Sequence, residues 1–211
     1  MDDAKKLLIG VLGSGRGSNL RAILDACKQP NFPARVCIVI SDVSDAGILQ
    51  IARDHGIEAK FIAPGKFKTK LEPEIESQYA TALRKAGVEL VALAGFMRMI
   101  RGEVLRVYAG RIMNLHPALL PAFPGLKSWK QALDHGAKAA GCTVHFVDNG
   151  MDTGPIILQA AVPILETDTP ETLHARIQEQ EHLLYPKAIR LHAEGRLRIE
   201  GRRVRILESK R

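Results

Sequence analysis

The fold class of this 211-residue chain is indicated most clearly by one segment, Leu7-Leu-Ile-Gly-Val-Leu-Gly-Ser-Gly-Arg-Gly-Ser-Asn-Leu20. Residues 7–12 are mainly apolar and predict a buried strand, a glycine-rich turn follows, and residues 19–27 have a helical pattern. A strand, a tight turn and a helix in this order are typical of the first unit of a parallel α/β sheet. We therefore predict an α/β fold.

The same alternation continues along the rest of the chain. Further strands are predicted at 35–40, 59–63, 90–94, 111–115, 143–147 and 156–164, and further helices at 46–55, 71–86 and 129–135. A last helix is predicted from Thr169 toward His192, because Thr169-Pro-Glu supplies a cap and a first-turn proline, with Pro186 marking a kink. No repeat, low-complexity tract or linker divides the sequence, so we predict one domain over residues 1–211.

Composition excludes several classes of protein. With 46% hydrophobic and 25% charged residues the chain is typical of a globular domain, and its apolar runs are shorter than the roughly 20 residues needed to span a membrane. The three cysteines are scattered without a Cys-x-x-Cys spacing, which favours the cytoplasm over a disulfide framework or a structural zinc site. The histidines form no His-Glu-x-x-His pattern, so we expect no metal.

Most of the net charge of +7 lies near the end of the chain, where residues 190–211 contain eight Lys or Arg and three Glu. Charged and apolar residues alternate over 196–207 around Gly201, which predicts a short hairpin with a cationic face. An arginine-rich nucleic-acid binder is the alternative interpretation, but no aromatic residues are interleaved for base stacking. We expect a solvated surface and no nucleic-acid partner.

The glycine-rich turn has two interpretations. Its glycines at 13, 15 and 17 match neither the dinucleotide spacing Gly-x-Gly-x-x-Gly nor a P-loop, so a mononucleotide or sugar phosphate fits better than NAD or ATP. The turn could instead serve only close packing. Its place at the carboxyl end of a strand, where open α/β sheets bind ligands, favours phosphate binding.

A second segment, Asn114-Leu-His-Pro-Ala-Leu-Leu-Pro121, carries side chains suited to acyl transfer. Asn114 and His116 are two residues apart at a predicted strand end, so their side chains point to the same face. The Asn amide can donate to a developing oxyanion, and the His can transfer a proton near neutral pH. Asp152 lies in a turn between two apolar segments, where it is either a partner that favours the protonated His116 or simply a turn residue.

These motifs resemble those of folate-dependent formyltransferases. Asn-x-His-Pro-x-Leu-Leu-Pro, followed by His-x-Val-x-x-x-x-Asp-x-Gly-Pro-Ile at 145–156, is similar to the family signature. Gly15-Arg-Gly-Ser-Asn19 is similar to the acceptor loop of the glycinamide ribonucleotide branch, and the resemblance runs from about Leu7 to Arg196. It implies a Rossmann-like fold whose mostly parallel, twisted sheet has helices on both faces. It also implies a nucleotide-binding half at about 1–110, a catalytic and folate-binding half at about 111–195, and a basic hairpin tail at 196–211.

The resemblance also implies roles for individual residues. The implied catalytic residues are Asn114, His116 and Asp152. The implied ribonucleotide contacts are Gly17, Ser18, Asn19, Arg176, Gln178 and Glu181. The implied folate contacts are Met97, Arg98, Met99, Ile100 and Asn114, with Lys70 standing where many relatives have an arginine. After Gly125, relatives often carry a His-rich turn, whereas this chain has Leu-Lys-Ser-Trp.

The implied reaction is transfer of the formyl group of 10-formyltetrahydrofolate, as co-substrate, to the amine of glycinamide ribonucleotide in de novo purine biosynthesis, by direct amine attack. Two other branches, methionyl-tRNA formyltransferase and formyltetrahydrofolate hydrolase, share the catalytic residues but carry an additional domain, so chain length favours the ribonucleotide branch. A nucleotide-binding module without activity is a further alternative. We expect small-molecule partners, no membrane segment, and a monomer or homodimer.

Overall fold

The computed structural model describes residues 6–208, which form nine strands and six helices. The strands are β1 (Leu7–Leu12), β2 (Ala34–Ser41), β3 (Glu58–Phe61), β4 (Leu90–Leu93), β5 (Ile112–His116), β6 (Ala139–Phe146), β7 (Ile156–Pro163), β8 (Leu197–Glu200) and β9 (Arg203–Ile206). The helices are α1 (Ser18–Cys27), α2 (Gly47–Asp54), α3 (Pro73–Lys85), α4 (Glu103–Val107), α5 (Ser128–Asp134) and α6 (Pro170–Ala193).

All nine strands belong to one sheet in the order β3-β2-β1-β4-β5-β6-β7-β9-β8. The first five pair in parallel, as βαβ connections require, whereas β5, β6 and β7 pair antiparallel. The β8–β9 hairpin joins the far edge through a parallel contact of β9 with β7. The predicted α/β fold class is confirmed, with an antiparallel extension that the sequence patterns did not predict.

The chain reverses direction across the sheet at β1. It proceeds from β1 to β2 and β3 on one side and then crosses to β4 and β5 on the other. At such a switch point the connections that leave two neighbouring strands run to opposite sides, which opens a crevice at the carboxyl ends of those strands, here β1 and β4. The glycine turn follows β1 directly and therefore lines this crevice.

Helices cover both faces of the sheet because its central strands are apolar on both sides. Val39 packs in one core cluster and its neighbours Ile38 and Ile40 in the other, as the period of two in a strand requires. Helices α1, α2, α5 and α6 contribute to the first cluster, and α3 and α4 to the second. The buried Tyr185 hydroxyl lies 3.0 Å from the Leu93 carbonyl oxygen and 2.9 Å from that of Met113, which ties α6 to two central strands.

The predicted strands and helices are confirmed with small shifts in their ends. The five-residue helix α4 was not predicted, and β6 begins at Ala139, four residues before the predicted start. Helix α6 continues through Pro186, and the predicted hairpin is present as β8 and β9. The last three residues of the predicted basic tail lie outside the described residues. No helix within residues 6–208 is long and apolar enough to cross a membrane.

Candidate active site

The structure separates the roles of the glycines in the turn after β1. Gly17 has a left-handed φ of 84°, and a Cβ there would lie 2.8 Å from Ile51 Cδ1 and 2.9 Å from Ile48 Cα. Close packing against α2 therefore explains Gly17. A Cβ at Gly15 would meet no heavy atom of the described part of the chain within 4 Å, so packing there does not explain that glycine. Its open side is compatible with the approach of a ligand.

Among the described residues, no side chain caps the N-terminus of α1. Its N-cap residue is Gly17, which has no side chain to accept the N–H groups of the first turn. Backbone N–H groups at a helix start lack partners within the helix and favour an anion. Ser18 and Asn19, both half-buried, are the first two residues of this turn.

A contact between α1 and α6 brings two of the implied acceptor residues together. Asn19 Nδ2 donates to Glu181 Oε2 at 3.0 Å, and only 4% of Glu181 is exposed. Burial raises the pKa of the Glu181 carboxyl, although the bond from Asn19 opposes the shift. Asn19 Oδ1 is buried and accepts no hydrogen bond from the described residues. Gln178 precedes Glu181 by three residues and so shares its helix face.

Arg176 is engaged elsewhere. Its guanidinium donates to both carboxylate oxygens of Asp168, at 2.7 and 2.9 Å, and to the Pro163 carbonyl oxygen at 3.0 Å. The hydrogen bonds from Arg176 hold the pKa of Asp168 well below its usual range. These contacts give Arg176 a structural role near the start of α6, and its predicted contact with the acceptor stays a prediction.

A hydrogen-bond network links the glycine turn to the segment after β4. The Ser14 hydroxyl donates to the buried Asp42 carboxylate and accepts from the Met97 backbone N–H at 3.0 Å. Arg98 Nε donates to the other Asp42 oxygen at 2.7 Å, and the same guanidinium donates to carbonyl oxygens at 67–68. Arg98 therefore stabilises this edge through its side chain. Sequence reasoning missed Ser14 and Asp42; the one available signal was that Asp42 directly follows β2.

The implied folate residues are neighbours in the structure. Residues 97–100 are irregular backbone after β4. Met99 forms an isolated bridge with Lys70, and its N–H donates to the Thr69 carbonyl oxygen at 2.9 Å. Lys70 Nζ lies 4.5 Å from the centre of the Phe67 ring. Ile100 is buried, whereas the Met97 side chain is more than half exposed.

The three implied catalytic side chains converge. Asp152 Oδ2 lies 3.4 Å from His116 Nδ1, and Asp152 Oδ1 lies 3.4 Å from Asn114 Nδ2. Asn114 and His116 are side by side on β5, with the alternation that the sequence predicted. His116 is 4% exposed, and its Nε2 donates to the Phe123 carbonyl oxygen at 2.9 Å. A proton on each ring nitrogen would satisfy both acceptors, which suits a general acid.

The backbone conformation at Asp152 places its carboxylate in this cluster. Asp152 has a φ of 56°, a left-handed conformation that is uncommon outside glycine, and Gly125 N–H donates to its Oδ2 at 2.9 Å. Only glycine fits two residues later, because a Cβ at Gly154 would lie 1.7 Å from the Phe146 carbonyl oxygen. The tight turn places its acid beside β5, so the interpretation of Asp152 as a turn residue is compatible with its interpretation as a partner of His116.

His145 is a fourth member of the cluster that sequence reasoning did not select. It lies directly opposite Asn114 in the β5–β6 pairing, with its Nε2 3.2 Å from Asn114 Nδ2 and 3.8 Å from Asp152 Oδ1. Burial lowers the pKa of its imidazole. His145 begins the second quoted motif, but its partner depends on strand register, which the motif does not contain. Within residues 6–208, no group of three or more His, Cys, Asp or Glu side chains is placed to hold a metal ion.

Comparison with known proteins identifies the family. The formyl transferase family model matches residues 7–189. The structure of glycinamide ribonucleotide transformylase 1 from Symbiobacterium toebii is similar at a TM-score of 0.92 and 55% identity, over 96% of this chain and 95% of that one. Phosphoribosylglycinamide formyltransferase of Bacillus subtilis strain 168 is 43% identical over 180 residues, which are 85% of this chain and 91% of that protein.

A much longer relative contains a similar region. Trifunctional purine biosynthetic protein adenosine-3 of Drosophila pseudoobscura pseudoobscura is 44% identical over 192 residues, 90% of this chain. The chain spans only 14% of that protein, so the similarity is to one part of it. The family match covers both the glycine turn and the cluster around Asp152. By the extent of that match, this chain belongs to the formyl transferase family.

Proposed function

We propose that this protein transfers the formyl group of 10-formyltetrahydrofolate to the amine of N1-(5-phosphoribosyl)glycinamide, a step of de novo purine biosynthesis. The observation that carries the proposal is the Asp152 carboxylate, 3.4 Å from both the Asn114 amide nitrogen and His116 Nδ1, in a member of the formyl transferase family. An amide donor, an imidazole and a carboxylate are the groups that acyl transfer to an amine requires.

The crevice beside α1 suits the phosphorylated acceptor. Uncapped N–H groups at the start of α1, with the open side of Gly15 next to them, favour a phosphate. Glu181 and Asn19 Oδ1, which has no hydrogen-bond partner among residues 6–208, add acceptors nearby. Acceptors beside an anion site suit a ligand that carries hydroxyl or amine donors as well as a phosphate, as a glycinamide ribonucleotide does.

The segment 97–100 and Asn114 suit the folate. The N–H groups of Met97 and Met99 already bond the Ser14 hydroxyl and the Thr69 carbonyl oxygen, so a pterin ring, which carries donors and acceptors, would meet the other backbone groups of this segment. The Arg98 guanidinium fixes this segment by its bond to Asp42. A folate bound to the backbone of the segment would leave that bond intact. Lys70, paired with Met99, is placed at the edge of the same segment and would meet the acidic tail of the folate as a point charge.

In the proposed mechanism the acceptor amine attacks the formyl carbon directly. Asn114 Nδ2 donates to the oxygen that becomes negative. Protonated His116 exchanges its Nε2–H bond to the Phe123 carbonyl oxygen for one to the substrate and then gives that proton to the departing folate nitrogen. Asp152 stabilises the imidazolium and takes the proton of the attacking nitrogen through a water molecule. The new carbon–nitrogen bond replaces the old one, and no covalent bond to the protein is formed.

The test is a spectrophotometric assay of 10-formyltetrahydrofolate deformylation under three conditions: with glycinamide ribonucleotide, with methionyl-tRNA, and without acceptor. We expect turnover only with the ribonucleotide. Equal turnover without an acceptor would make the protein a hydrolase, and turnover with the tRNA alone would assign it to that branch. Absence of turnover in all three conditions would contradict the proposal and favour a nucleotide-binding module without activity.

A further inference from the structure

We propose that His145 is a positioning residue that holds the Asn114 amide with its nitrogen toward the reaction centre, by accepting a hydrogen bond from that amide as the Nδ1–H tautomer. This inference rests on the proposed function, because it assigns Asn114 the role of oxyanion donor.

The tautomer follows from a backbone contact. His145 Nδ1 lies 2.8 Å from the Phe146 carbonyl oxygen, which can only accept, so Nδ1 carries the proton. Burial, which is nearly complete, lowers the pKa of this imidazole and keeps it neutral; the charged or titratable groups that act on it are Asp152, His116 and Asp148. A neutral ring with its proton on Nδ1 has an acceptor at Nε2.

The orientation of Asn114 follows from that acceptor. The two ends of an amide are nearly equal in size, so a flip of 180° exchanges donor and acceptor with little change in packing. Nε2 of His145, at 3.2 Å, and Asp152 Oδ1, at 3.4 Å, both present acceptors to the same end of Asn114. Only the NH₂ end can satisfy both. In the flipped state the amide oxygen would face two acceptors and no donor would point toward a developing oxyanion.

His145 acts through Asn114 and not on substrate. Only 2% of His145 is exposed, and it lies on β6 directly opposite Asn114 of β5, which is half-buried. One hydrogen of the Asn114 NH₂ group points at Nε2, and the second makes only the long 3.4 Å bond to Asp152 Oδ1, which a reacting oxygen can replace. Asp152 alone cannot replace His145, because its bond to Asn114 is long and its other oxygen is occupied by Gly125.

The first experiment compares His145→Leu, which removes the acceptor, with His145→Gln, which keeps one near the position of Nε2. We expect His145→Leu to lower kcat about 10- to 100-fold, because a misplaced catalytic group costs up to about 10²-fold, while KM for both substrates changes little. His145→Gln should recover most of the loss. His192→Leu is the matched control and should leave kcat unchanged, since His192 is a half-buried histidine of α6 whose ring contacts the Phe146 ring at 6.1 Å and belongs to no part of the cluster.

A double-mutant cycle then tests the route. If His145 acts through Asn114, His145→Leu should have almost no further effect on kcat in an Asn114→Ala background. Losses that multiply would overturn the proposal, as would a His145→Gln variant no better than His145→Leu. Urea unfolding of each variant identifies any that fails to fold.

A measurement without substrate keeps the inference separate from the proposed function. Long-range ¹H–¹⁵N NMR of the free wild-type protein at neutral pH reports the protonation of each His145 ring nitrogen. We expect a protonated Nδ1 and an unprotonated Nε2. A ring protonated on Nε2 would overturn the inference even if formyl transfer is observed, whereas absence of formyl transfer with the expected tautomer would contradict only the proposed function.

Discussion

The glycine turn after β1 and the cluster around Asp152 lie at the same edge of the sheet, but they are built in different ways. The turn is one continuous segment, 13–19, that offers backbone N–H groups. The cluster draws side chains from β5, from β6 and from the turn that holds Asp152. A site of backbone groups depends on chain conformation, and a site of side chains depends on strand pairing. Substitutions in the first should therefore affect stability and acceptor affinity, and substitutions in the second should affect turnover.

The largest effect is expected in the cluster. His116→Ala and Asn114→Ala should each lower kcat by at least about 10²- to 10³-fold, the usual effect of removing one oxyanion donor. Both variants should fold, because backbone pairing with β4 and β6 holds β5 in the sheet. Steady-state kinetics and urea unfolding measure the two properties separately. Near-normal turnover in either variant would remove that residue from the catalytic set.

The next effect is expected on stability, in the turn. Gly17→Ala should destabilise the fold by about 2 kcal/mol or more, because a left-handed residue with a side chain is strained and the new Cβ meets α2 at 2.8 Å. Gly15→Ala is the matched control and should change the free energy of unfolding by less than about 0.5 kcal/mol. Its methyl group should instead raise KM for the ribonucleotide. Urea unfolding and kinetics of both variants would show whether the two glycines have separate roles.

A smaller effect, with a defined dependence on pH, is expected at Glu181. Burial raises the pKa of this carboxyl in the folded state, so the unfolded chain ionises first as pH rises, and the folded state loses stability between the unfolded and folded pKa values. Glu181→Gln removes the buried charge. We therefore expect the variant to be more stable than wild type, with a gain that is larger at about pH 8 than at about pH 5.

Glu181→Gln should also bind the ribonucleotide less well. A variant that gains stability and loses affinity would show that the buried carboxylate serves binding and not folding. Glu179→Gln, at an exposed position on the same helix, is the control and should show neither change. Urea unfolding at both pH values and KM for the acceptor are the measurements. A gain in stability that shrinks as pH rises would contradict the buried-charge argument.

The smallest effect is expected at the outer edge of the crevice. Lys70→Ala should raise KM for the formyl folate by about 2- to 5-fold without a change in kcat, since an exposed ion pair contributes at most about 1 kcal/mol. Lys70→Arg should lower that KM, because a guanidinium can bind a carboxylate in a bidentate manner. Lys68→Ala, a neighbouring exposed lysine, serves as the control. An unchanged KM in Lys70→Ala would remove Lys70 from the folate site.

Much of the candidate site could be predicted because its residues have local signatures. Asn114 and His116 share a face through the period of two in a strand, and the turn before α1 is recognisable from its glycines alone. Ser14 and Asp42 could not be predicted in the same way, because their link to Arg98 joins segments 28 and 56 residues apart. The bond between Arg176 and Asp168 was not predicted either, because Asp168 lies before the first residue of α6 and so outside the helical repeat.

Local sequence patterns specified the βαβ alternation, the carboxyl-end position of the glycine turn, the shared strand face of Asn114 and His116, and the β8–β9 hairpin. Each of these depends on the repeat of a strand or helix or on a local turn, which neighbouring residues specify. The antiparallel pairing of β6 with β5, in the register that places His145 opposite Asn114, became visible in the folded chain and not in these patterns. That register depends on 22 intervening residues and on the packing of α5 and α6 against the sheet, and no local repeat contains this information.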